Sequence, residues 1–78
     1  MALDYLVEIR GALPEAVRQE LRGRFGAITV NRRGDRTILS GLPADQAALA
    51  ALLRLLWDVG SELRLVKAVD TGEEERHD

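Results

Sequence analysis

Arg10, Arg32, Arg33 and Arg36 are the residues of this 78-residue chain whose type and spacing best suit chemistry. A guanidinium binds phosphate or carboxylate oxygens through paired N–H donors, so the four form a candidate weak anion patch. An enzyme built on them would act on a phosphoryl or acyl substrate, with Arg10 at the end of one β-like run and the other three around the turn at Gly34. Asn31, the neighbouring residue able to position a water, has no evident partner in the sequence. The commoner role of such a cluster is to keep a hairpin soluble.

Other chemistries lack their residues. With no Cys and a single histidine at His77, thiolate metal sites, disulfides and Ser-His-Asp catalysis are without ligand or base. No metal and no cofactor is expected. Acids cluster only at Glu73 to Glu75, where solvation explains them. The tripeptide Arg33-Gly34-Asp35 resembles the integrin-binding motif, but a motif this short recurs by chance in turns. A formal charge of −2, with a pI near 5.3, argues against a dedicated nucleic-acid binder. RNA recognition through stacked bases would also need aromatics on the third strand, and RTILS has none.

The elements that must position these residues follow from the apolar pattern. Leu3, Tyr5, Val7 and Ile9 alternate with Asp4, Leu6, Glu8 and Arg10, the period of a half-buried strand. A first helix starts at Pro14, carries Val17, Leu21 and Phe25 on one stripe and ends at Gly26. Residues 27–32 and 36–40 are strands joined by a hairpin at Gly34. A second helix runs from about Pro43 to Val59 with Leu49, Leu52, Leu53 and Leu56 inward, and Gly60 follows it. Residues 63–69 form the last strand. The acidic tail, residues 71–78, has nothing apolar to bury and is expected to be disordered.

This order, βαββαβ, predicts one ferredoxin-like α+β domain over residues 1–70, with a four-stranded antiparallel sheet in the order 4-1-3-2 and two helices on one face. The stretches RGALPE at Arg10 and SGLPAD at Ser40 repeat a Gly-Leu-Pro joint. In this topology the joints fall at opposite ends of the domain, so the repeat is structural punctuation: Gly releases the strand, Leu packs beneath the turn and Pro starts the helix. Tyr5, Phe25 and Trp57 are assigned to the core or its rim.

The sheet face away from the helices is the candidate interaction surface. If Tyr5, Val7, Ile9, Ile28, Val30, Leu63 and Leu65 face the helices, the open side carries Leu6, Glu8, Arg10, Thr29, Asn31, Arg64, Val66 and Ala68, with Leu39 or Ile38 from the third strand. The candidate contact residues on this face are Leu6, Glu8, Arg10, Leu39, Arg64 and Val66. Its apolar centre and charged surround suit a second sheet or a partner, and equally the half-polar face that antiparallel sheets expose to water.

From Thr37 to Val66 the chain carries Thr37, Leu39, Gly41, the run Asp45-Gln46-Ala47-Ala48-Leu49, then Leu52-Leu53, Leu56, Asp58, Gly60, Leu63 and Val66. This pattern resembles a group of small uncharacterised bacterial proteins frequent in high-GC Gram-positive genomes. Where those proteins often have His-Gly after the run, this chain has Ala50-Ala51. The resemblance implies a related fold and carries no known activity.

The reading that follows is a non-catalytic protein-interaction or self-association module, partnered by its own copy or by another protein. The alternative is a small-molecule-binding regulatory domain of the ACT kind, which shares the βαββαβ order and takes small effectors. Asp4 stands where a secretory signal would need basic residues, and no apolar run reaches membrane-spanning length. A cytoplasmic location is therefore expected.

Overall fold

The computed structural model describes residues 3–26, 28–43 and 45–70. The expectation for residues 71–78 falls outside them. The elements are β1 (Leu3–Arg10), α1 (Glu15–Phe25), β2 (Thr29–Arg33), β3 (Arg36–Pro43), α2 (Gln46–Asp58) and β4 (Glu62–Asp70). All strand pairings are antiparallel, in the order β2-β3-β1-β4. This is the expected ferredoxin-like α+β arrangement, with β1 and β3 central and β2 and β4 at the edges.

One core lies between sheet and helices. Val7 and Ile9 from β1, Leu39 and Leu42 from β3, Leu21 from α1 and Leu52 and Leu56 from α2 are buried in a single cluster. The edge strands add only partly buried Val30 and Val66 to it. Tyr5 and Phe25 pack against the cluster as expected. Trp57 does not: its exposure is 76%, because α2 turns Leu56 inward and leaves the next residue facing water.

The helix ends correct two details of the sequence reading. Pro14 is the N-cap of α1, with extended backbone, and the helix proper begins at Glu15. Pro43 belongs to the end of β3, and α2 is capped by Asp45, whose carboxylate accepts the Ala47 N–H at 3.0 Å. The repeated joint therefore repeats its Gly and Leu roles but not its Pro role. Gly11 and Gly41 share φ values of +82° and +83°, and Leu13 and Leu42 are both buried. Gly41 lies where the β1–β3 register shifts between Tyr5 and Val7, a bulge that lets β3 continue to Pro43. At the far end of α2, Ser61 N–H donates to Leu56 O and Gly60 N–H to Trp57 O, both at 3.0 Å, the paired bonds of a Schellman closure.

Candidate functional site

Residues directly opposite one another in an antiparallel ladder share a face, so the register assigns each side chain. Val7 lies opposite Leu39 and Val66, and Leu39 opposite Val30. Val7 is fully buried and Leu39 is 1% exposed, so this row faces the helices. Two members of the expected interaction face, Leu39 and Val66, are thus on the core side. Ala68, opposite Tyr5, shares that phase.

The complementary row holds Asn31, Ile38, Glu8 and Leu65 from β2, β3, β1 and β4. Leu65, expected beneath the helices, is 41% exposed on the open side. Further along β1, Leu6 lies opposite Lys67 and Asp4 opposite Val69. Arg64 sits where the β1–β4 register shifts between Glu8 and Ile9, without a direct partner on β1. Leu6, Glu8 and Arg10 take the open face as expected, and Ile38, Leu65 and Val69 complete it.

Of the adjacent apolar pairs, Ile38-Leu39 is decided by the charge that flanks it and Leu65-Val66 by the irregularity of its pairing. Placing Ile38 inward would carry Arg36 under the helices, whereas Leu39 carries Thr37; in β4 either choice carries a cation, Lys67 with Leu65 or Arg64 with Val66, and the register shift at Arg64 releases it from the alternation. Burying an unpaired cation costs far more than exposing a leucine. For β3 that signal is present in the sequence and identifies the phase.

The arginine patch divides. Arg33, Arg36 and Arg10 stand in one cross-strand row on the open face, ending at Glu62. Arg36 Nη1 donates to Glu8 Oε2 at 2.9 Å, and Arg10 Nη1 lies 3.8 Å from Glu62 Oε1. The Glu8 side chain is only 13% exposed, so its pairing with Arg36 neutralises charge in the centre of the face. Arg32 is opposite Thr37, itself opposite Ile9, and so belongs to the helix side. The turn at Gly34 therefore sends the arginines to two faces.

The β1–α1 joint is tied to β3 through Gly11. Its N–H donates to Asp35 O, and its carbonyl accepts the Thr37 hydroxyl at 2.6 Å. Thr37 is 2% exposed and is the buried polar residue of the core. Among the described residues no cluster of His, Cys, Asp or Glu could hold a metal ion, and no helix is long and apolar enough to cross a membrane.

Fold and surface together define a small βαββαβ domain with one sheet face covered by helices and the other uncovered. Residues 4–67 match the family model described as Domain of unknown function (DUF8691). The chain belongs to that family. A search of curated proteins finds no match.

Proposed function

We propose that the domain is a non-catalytic self-association module in which two copies pair through their open sheet faces. The observation that carries this is the row Ile38, Glu8, Leu65, with Leu6 and Val69 beside it, on a face that neither α1 nor α2 covers. Its charged centre is already neutralised by Arg36. Apolar side chains around one neutralised charge, with a polar rim, resemble the anatomy of an interface.

Charge and area favour a second copy as the occupant. The face carries both signs, including Arg33 at the hairpin end and Asp4 at the other, so a strongly charged partner is not called for. A twofold axis lying in the interface and crossing the strands lays the hairpin end of one copy over the Asp4 end of the other. Such closed twofold pairs are the commonest oligomers. Four strands spaced ~4.8 Å apart and rising ~3.3 Å per residue give a face of about 500 Å² per copy. Two such faces bury about 1,000 Å², the lower bound of specific interfaces, so the dissociation constant should be on the order of micromolar.

Sedimentation velocity on Leu65→Lys and Leu6→Lys tests the proposal. Both variants should sediment as monomers at concentrations where the parent chain associates, while keeping its circular dichroism. Variants that associate as the parent does would refute the open face as the contact.

A further inference from the structure

A second feature lies on the opposite side of the sheet from the proposed dimer face. A recess of about 80 Å³ is lined by Ala12, Leu13, Arg18, Val30, Arg32 and Thr37. It sits where the β1–α1 joint and the first turn of α1 meet β2 and β3. Leu13 and Val30 give it an apolar floor, and both of its charged residues are cations.

The state of those two guanidiniums points to a ligand. Arg18 Nε is shielded from solvent and has no hydrogen-bond partner. Only Arg18 Nη1 is engaged, 3.7 Å from Glu15 Oε1, and both of these side chains are partly in water, so the pair holds the group weakly. Arg32 Nε donates to Gly34 O at 2.9 Å, which fixes that guanidinium and leaves its outer nitrogens to donate elsewhere. Thr37 has spent its proton on Gly11 O and offers the recess only an acceptor oxygen. A shielded N–H of a cation without an acceptor is unfavourable, and the group that relieves it is an anion whose oxygens can accept from both arginines.

We propose that this recess binds a phosphate group, free or as the terminal group of a small phosphate monoester, between Arg18 and Arg32. Four tetrahedrally placed oxygens on one compact centre match donors that arrive from two walls better than the two coplanar oxygens of a carboxylate. The Arg33, Arg36 and Arg10 row is not part of the site, because it stands on the open face of the sheet. The proposal does not depend on self-association, since its residues are on the helix side of the sheet.

The test is an NMR titration at low ionic strength that follows arginine Nε–Hε signals, with inorganic phosphate, glycerol phosphate and acetate as separate probes. Saturable shifts of the Arg18 and Arg32 signals with phosphate are expected. Similar affinity for glycerol phosphate would identify a monoester site, and clearly weaker binding of it would identify a site for the free ion. Arg18→Gln and Arg32→Gln should each weaken binding about tenfold or more, and Arg33→Gln should leave it unchanged. Arg18→Lys keeps the charge but lacks Nε, so it should fold as the parent does and still bind more weakly. No saturable shift, equal binding of acetate, or an equal loss in Arg33→Gln would overturn the proposal.

Discussion

Replacing Thr37 with valine removes one hydroxyl and almost no volume, which isolates the bond that ties β3 to the β1–α1 joint. Thr37 is 2% exposed and its hydroxyl donates to Gly11 O at 2.6 Å. Losing a typical hydrogen bond costs about 1 kcal/mol net, and a carbonyl left without its donor adds about 1–3 kcal/mol. The recess beside Thr37 gives water a route toward that carbonyl, which lowers the second figure. A loss of about 2 kcal/mol is therefore expected for Thr37→Val, or roughly 10 °C in Tm for a domain of this size. Thr37→Ser keeps the hydroxyl and deletes a methyl group, at about 1 kcal/mol. Urea unfolding followed by far-ultraviolet circular dichroism is the suitable assay. Trp57 fluorescence is a poor reporter, because the ring is 76% exposed in the folded state. A loss below about 0.5 kcal/mol for Thr37→Val, or a serine variant less stable than the valine one, would refute the reasoning.

Two glycines should respond with opposite signs to alanine. Gly60 has φ +81° and closes α2, so Gly60→Ala should cost about 1 kcal/mol from backbone strain alone, since a Cβ there would meet nothing within 4 Å. Gly23 sits inside α1 with the same open space and no positive φ, so Gly23→Ala should stabilise by about 0.5–1 kcal/mol. Thermal unfolding of both variants checks the pair. Leu39→Ala should cost about 2–5 kcal/mol as a core truncation, whereas Ile38→Ser, one residue away on the uncovered face, should leave a folded monomer. Equal destabilisation by the two would show the phase of β3 to be misassigned.

Much of this fold was legible because its signals are local and agree with one another. The alternation in β1 and the leucine stripe of α2 each dictate a buried face, and the Gly26 and Gly60 endings are read from residue type alone. The faces of β3 and β4 were harder, since Ile38-Leu39 and Leu65-Val66 give no alternation to follow. Flanking Arg36 resolves β3, by the cost of carrying a cation beneath the helices, whereas β4 has Arg64 and Lys67 on opposite phases and is settled by its bulge against β1. Pro43 misled for another reason: the Gly41 bulge extends β3 beyond its apolar run, a consequence of pairing with β1 rather than of local propensity. The recess was invisible from sequence spacing, because Arg18 and Arg32 meet only through the packing of α1 against β2 and β3. The exposed Trp57 follows from the rotation of α2, which a stripe of four leucines leaves undetermined by about one residue.

The most direct test of the central proposal is the mass of the unmodified chain by light scattering coupled to size exclusion, across a wide concentration range. Pairing through the open face predicts a mass that climbs from 8.6 kDa toward twice that value as concentration passes through the micromolar range. A mass that stays at 8.6 kDa throughout would contradict it.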